Sequence, residues 1–124
     1  MYRATLEGLG YTLKECIDLF RRLGLEVSTV RAIGGAAKSD FWLQTVADIT
    51  GLPIERPVVV EAAVLGAAMI AAVGFGAFST LEASSAAFYR PERTFTPRAE
   101  NQARYEQLCK SYVSLYRHIY RQGE

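Results

Sequence analysis

Apolar residues open the chain at helical spacing. Leu6, Leu9, Leu13, Cys16, Ile17 and Phe20 recur at intervals of three and four, which predicts an amphipathic helix over 3–23. Gly24 suits the C′ position that ends it. Gly8 and Gly10 each cost a helix interior about 1 kcal/mol against alanine. Close packing on a neighbour, one that this stretch need not itself contain, is the expected compensation. The rhythm then changes. Val27, Thr29, Val30 and Ile33 form a β-branched run that predicts a strand over 27–33, stopped by Gly34 and Gly35. Ser39 or Asp40 then caps a helix over 39–50. Gly51-Leu52-Pro53 makes a turn, and 54–60 reads as a second strand behind the proline. A strand–helix–strand unit of this length implies a right-handed crossover and a parallel pair.

Residues 62–73 have no polar face, and a helix apolar all round is buried on every side or lies in a membrane. The uncharged stretch from Ala62 to Phe78 runs 17 residues, short of the ~20 that span a bilayer. Burial is therefore the expectation. Beyond it, Ser79 caps a short helical turn from Leu81 to Ala87, and Pro91 and Pro97 bracket an extended Arg93-Thr94-Phe95 passage. The last helix runs from Arg98 to Arg121, with Tyr105, Leu108, Cys109, Tyr112, Leu115, Tyr116 and Ile119 in one stripe.

At 124 residues the chain makes one domain with a modest core. Its formal net charge of +1 supplies no global field for nucleic acid or an anionic membrane. Cys16 and Cys109 stand in no ligand-like spacing and read as reduced core residues of a cytoplasmic protein. No His, Cys and carboxylate cluster has metal-ligand spacing, so no metal site is expected. His118, the single histidine, has no serine or cysteine nucleophile framed for it.

The chemistry concentrates at Gly34-Gly35. Paired glycines remove the Cβ atoms that would keep a flat ligand or a phosphate off the backbone. The helix that follows aims free N–H groups and its positive dipole end at the same spot. By itself this fits a strand-to-helix turn that needs a positive φ equally well. The wider order is more specific: Ile33-Gly34-Gly35-Ala36-Ala37-Lys38-Ser39-Asp40-Phe41-Trp42-Leu43-Gln44, then Asp48-Ile49-Thr50-Gly51-Leu52-Pro53-Ile54, then Glu61-Ala62-Ala63-Val64-Leu65-Gly66-Ala67-Ala68. In that series and spacing, from Tyr2 to Tyr120, the chain resembles the C-terminal domain of the FGGY carbohydrate kinases. Those are ATP-dependent sugar and polyol kinases with an actin/hexokinase-like fold. The Trp42-Leu43-Gln44 triplet is more similar to the xylulokinase and gluconate-kinase branches than to the glycerol kinases.

The resemblance implies an α/β fold: part of an actin-like ATPase (ribonuclease H-like) second lobe, with a parallel strand pair packed by helices. Residues 1–124 would be the C-terminal part of that lobe, with the N-terminal lobe and a three-stranded antiparallel unit outside it. It implies ATP and Mg²⁺ as cofactors and phosphoryl transfer to a sugar hydroxyl, on xylulose or a related ketose. The glycine loop would lie against the adenosine and its proximal phosphate through Gly34, Gly35 and Ala36, with Ser39 at the polar position beyond. Ala36 and Ala37 stand where many members carry a third glycine, which narrows the approach. The catalytic base falls outside the stretch, so the chain alone should be inactive. A stand-alone nucleotide-binding or interaction module of the same fold is the alternative.

The remaining polar positions carry plainer readings. Lys38 lacks a P-loop frame and reads as a solvated lysine. Gln44 and Asp48, at i and i+4, share a helix face and read as structural. Trp42 reads as packing, and Glu61 as a carboxylate favoured by the dipole of the helix it precedes. The uncovered apolar helix and an open strand edge predict self-association, as a symmetric homodimer.

Overall fold

A computed structural model describes residues 1–121. In chain order it contains helix α1 (Tyr2–Arg22), strand β1 (Val30–Arg31), a single 3-10 turn (Gly35–Lys38), helix α2 (Asp40–Thr50) and strand β2 (Ile54–Pro57). Helices α3 (Ala62–Gly74) and α4 (Leu81–Phe88), strand β3 (Pro91–Phe95) and helix α5 (Ala99–Arg121) follow.

The sheet has the order β1-β2-β3. β1 runs parallel to β2, with Val30 opposite Ile54, so the expected strand–helix–strand unit is present. β3 adds an antiparallel strand, with Phe95 opposite Ile54. The Arg93-Thr94-Phe95 passage is therefore part of the sheet rather than only extended. Both leading strands are shorter than the 27–33 and 54–60 that the apolar runs predict. β2 stops at Pro57, which has no N–H to continue the ladder, and the pairing is already irregular between Arg56 and Pro57. β1 is an edge strand flanked by two backbone bonds, Val30 N to Pro53 O and Ala32 N to Glu55 O.

α2 is the axis of the core, and every residue from Thr45 to Thr50 is buried. One cluster packs Leu43, Val46 and Ala47 against Ile54 and Phe95 of the sheet, with Leu13, Val30, Ala32 and Trp42 at its margin. A second joins Tyr11 of α1, Ile49 of α2, and Tyr105 and Cys109 of α5. The Tyr105 hydroxyl donates to Glu7 Oε1 at 3.1 Å across the same seam. Gly10 is the reason that α1 can lie this close: a Cβ there would stand 2.6 Å from Ile49 Cδ1. The compensating neighbour is thus within the chain. Gly8 needs no such absence, since a Cβ would reach Tyr112 only at 3.8 Å, an ordinary contact.

Several expectations yield to this packing. α1 rests on the line Gly10, Tyr11 and Ile17, which turns Leu9 and Phe20 outward and leaves Cys16 exposed rather than in the core. Cys109 is buried, and burial pushes its thiol above the ordinary range. Both cysteines are free. Thr80, not Ser79, caps α4 by accepting from Ala83 N. The largest difference is α3, which has no buried residue. Its main neighbour is α4, touched through Ser84 Oγ to Met69 O and continued by the Phe78–Phe88 edge contact just beyond. The hydrophobic run forms the helix as expected, but no other described element covers it. The α5 stripe divides in the same way: Tyr105 and Cys109 are buried, while Leu115, Tyr116 and Ile119 are exposed.

One polar group ties the segments together. The Asp48 side chain, 1% exposed, accepts five hydrogen bonds. They come from Gln44 Nε2, the Arg98 backbone N–H, Arg98 Nε and Nη2, and Asn101 Nδ2. Burial by itself would raise the carboxyl pKa, but the bonds from Arg98, Asn101 and Gln44 outweigh it and hold the group below its ordinary value.

Two outcomes follow for stability. Gly10→Val should destabilise the chain by about 2 kcal/mol, because the added atoms must displace Ile49 inside a filled seam; chemical denaturation reads it directly. Asp48→Asn turns an amide N–H toward donors and should cost about 3 kcal/mol at pH 7. A lowered carboxyl pKa means that the folded state holds this proton less readily than the unfolded chain. The contribution is therefore complete above about pH 4 and lost as pH falls through the folded-state value. Denaturation curves of the two proteins should converge on acidification; a gap independent of pH would contradict the charged network.

Candidate functional site

The corner between β1 and α2 is built from its backbone outward. Gly34 has φ 76° and ψ −169°, a region open essentially only to glycine. That turn lets its N–H donate to Val60 O at 2.7 Å, which ties the end of β1 to the chain entering α3. The 3-10 turn follows, closed by Ala37 N to Gly34 O at 3.1 Å. Ala37 is the buried foot of the turn, whereas Gly34, Gly35 and Ala36 are exposed. A Cβ added at Gly34 or Gly35 would meet no heavy atom within 4 Å. The glycines therefore answer no packing demand: they leave bare backbone facing open space.

Ser39 settles the helix start. Its Oγ accepts from Trp42 N at 3.3 Å, so Ser39 is the cap and Asp40 the first helical residue. Asp40 does something else. Its Oδ1 accepts from Arg56 Nη1 at 2.6 Å, and its other oxygen pairs with Arg93. The hydrogen bond from Arg56 is the main influence holding its carboxyl below the ordinary range. Arg56 also donates to Glu92 at 2.6 Å and to the Ala37 carbonyl at 3.4 Å. The glycine turn and the start of α2 are thus fastened to β2 and β3 by charge.

Lys38 is solvated, as expected, and also has a carboxylate partner. Its Nζ donates to Glu61 Oε1 at 3.0 Å, and that bond is the leading reason that the Glu61 carboxyl lies below its ordinary value. Glu61 precedes α3 and makes no side-chain capping bond.

Gly34, Gly35, Ala36 and Ser39 share this one contiguous corner. Gln44 and Asp48 do not join them: they belong to the buried network at the other end of α2, and Gln44 also donates to Thr96 O. Trp42 packs at the margin of the core. The Asp40–Arg56–Arg93–Glu92 cluster has no local sequence signature, because its members lie on three elements far apart in the chain. A groove of about 840 Å³ runs between α1, the C-terminal end of α2 and α5, away from the glycine corner. Among the described residues no group of three or more His, Cys, Asp or Glu side chains could hold a metal. No helix among them is long and apolar enough to cross a membrane.

A strand-to-helix corner on a mixed sheet is common to many α/β proteins, and solved structures show which this one is. The chain superposes with a TM-score of 0.82 on ligand-bound xylulose kinase from Lactobacillus acidophilus, at 25% identity over 94% of this chain and 24% of that one. Gluconate kinase from the same organism gives a TM-score of 0.81 at 25% identity, over 94% of this chain and 23% of that one. The fold is thus α/β, that of the actin-like ATPases to which sugar kinases belong. Residues 1–75 match the sequence profile of the FGGY family of carbohydrate kinases, C-terminal domain, and the chain belongs to that family. Xylulose kinase from Staphylococcus epidermidis is 43% identical over 120 residues, covering 97% of this chain and 23% of that protein. The chain spans about a quarter of the length of the relatives it matches.

Proposed function

We propose that this chain forms the adenosine-facing side of the nucleotide cleft in an ATP-dependent sugar kinase, as part of the second lobe. Gly34, Gly35 and Ala36 lie against the adenosine and its proximal phosphate, and the Ser39 hydroxyl stands at the rim. The observation that carries this reading is the bare backbone at Gly34 and Gly35, where added side chains would meet nothing of the protein itself. Gly34 is required by its φ of 76°, whereas Gly35 has neither a positive φ nor a neighbour, so its missing side chain answers neither backbone conformation nor packing. The Asp40–Arg56 tie at the start of α2 supports it, since a cradle held in place loses little entropy when a ligand enters.

The sugar is xylulose or a related ketose, a reading supported by the 43% identity to the Staphylococcus epidermidis xylulose kinase. Phosphoryl transfer depends on positioning and on charge neutralisation by Mg²⁺. The described residues offer no acidic cluster to hold that ion, so the nucleotide phosphates or other parts of the kinase would hold it. The base that takes the sugar hydroxyl proton would come from another part of the kinase, which acts in the cytoplasm.

Gly35→Val should weaken ATP binding at least about tenfold, the equivalent of ~1.4 kcal/mol, and raise KM for ATP far more than KM for the sugar. The melting temperature should hold, since the new side chain enters open space. Equal effects on both substrates, or none, would make the loop a plain turn.

The uncovered faces point to assembly. Val64, Ile70 and Phe75 are each more than half exposed on and just after α3, and apolar area of this kind marks an interface. The chain pairs with a second copy through α3 as a symmetric homodimer. Light scattering of dilute protein should give twice the chain mass, and Ile70→Glu should return it to one. A monomer that binds no apolar dye would contradict this.

A further inference from the structure

The glycine turn carries one cation, and the geometry of the turn decides what that cation can reach. A 3-10 turn has three residues per turn, so positions i and i+3 lie one above the other. Gly35 and Lys38 are those two positions in the turn Gly35–Lys38. A ligand resting on the bare backbone at Gly35 is thus on the same side of the turn as the root of the Lys38 side chain.

The other cations at this corner are committed. Arg56 is largely buried between Asp40 and Glu92. Arg93 has an exposed pair, with Asp40, but its guanidinium also lies over the Phe95 ring at 4.7 Å and belongs to β3, not to the turn. Lys38 has a single partner, Glu61, and their side chains are 66% and 57% exposed. An ion pair this open to water is weak and easily exchanged. A phosphate group offers more charge and more acceptor oxygens to an ammonium than one carboxylate does. Glu61 also places a negative charge beside the turn, which an incoming phosphate would meet unless Lys38 stood between them.

We propose that Lys38 is a phosphate-binding side chain of this corner and that Glu61 holds it in reserve. A nucleotide settling on Gly34, Gly35 and Ala36 takes the ammonium from the carboxylate. The inference rests on the nucleotide reading of the turn and adds to it a specific ligand and a built-in competitor. The pair then discriminates by phosphate. ATP and ADP can pull Lys38 away from Glu61, whereas adenosine, which carries no phosphate, leaves the pair closed.

Titration of the chain with ATP, ADP and adenosine tests this through Lys38→Met, Glu61→Gln, the double variant and Gly35→Val. Lys38→Met should weaken ATP and ADP about tenfold, as expected for a lost charge-assisted hydrogen bond, and leave adenosine unchanged. Glu61→Gln should act in the opposite direction, tightening ATP by up to about fivefold, the scale of an exposed ion pair. The double variant should behave as Lys38→Met. Melting temperatures should stay close to the parent, since both side chains are exposed. Single variants that shift ATP affinity the same way, a loss shared equally by adenosine, or a Glu61→Gln gain that survives without Lys38 would each overturn the proposal. If Gly35→Val abolishes binding while Lys38→Met and Glu61→Gln are silent, the nucleotide reading stands and this inference falls. If the parent chain binds none of the three, or Gly35→Val changes nothing, both fall.

Discussion

The buried carboxylate of Asp48 is the constraint on which the arrangement of this chain depends. A charge removed from water must be met by donors, and Asp48 gathers them from its own helix, from the segment leaving β3 and from the first turns of α5. Each donor fixes a relation that hydrophobic contact alone would leave loose. Arg98 binds through both backbone and side chain, so α5 has to start where it does. Gln44 binds Asp48 and the Thr96 carbonyl together, so the exit of β3 is set against α2. No buried polar side-chain atom among the described residues lacks a hydrogen-bond partner, which is the condition for such a network to specify one packing.

The opposite end of α2 is fastened by a different device. Asp40 there draws Arg56 and Arg93 from neighbouring strands, in partial contact with water. With both ends held, the helix presents its first turn and the glycine loop as a fixed surface. The left-handed backbone of Gly34 fits this picture. It sets the direction of the chain between a strand and a helix that are each anchored independently, so the loop has little freedom to relax. In the proposed nucleotide site, this corner would form a wall already set by the strand and helix on either side.

What could be read from the amino acids was local. The glycine corner, the Ser39 cap and the parallel pair are encoded within a few turns of chain, by residue types whose conformational preferences are strong. The family series extended that reading to the fold. The rest depends on partners distant in sequence. Pro91 to Phe95 alternates poorly and carries three polar residues, so nothing in it announced a strand until β2 offered an edge. The Asp40, Arg56, Glu92 and Arg93 cluster spans more than fifty positions. Cys16 looked like a core residue because it continues a helical stripe, but the seam on α2 follows Gly10 and Tyr11 and leaves it outside. For α3, composition set the helix and said nothing about what lies against it. The Lys38–Glu61 pair went unread for the same reason, since the carboxylate comes from the start of another helix.

The seam between the first and last helices also has a direction in time. Tyr11 and Ile49 meet Tyr105 and Cys109 only after α5 exists, and the Tyr105 hydroxyl closes onto Glu7, 98 positions earlier in the chain. Synthesis from the N-terminus delivers α1, α2 and the parallel strands long before that closure is possible. Until α5 emerges, the Asp48 carboxylate has Gln44 but neither Arg98 nor Asn101, and the apolar seam is open along one side. Closing the seam and surrounding the Asp48 charge therefore both wait on the segment from Arg98 onward.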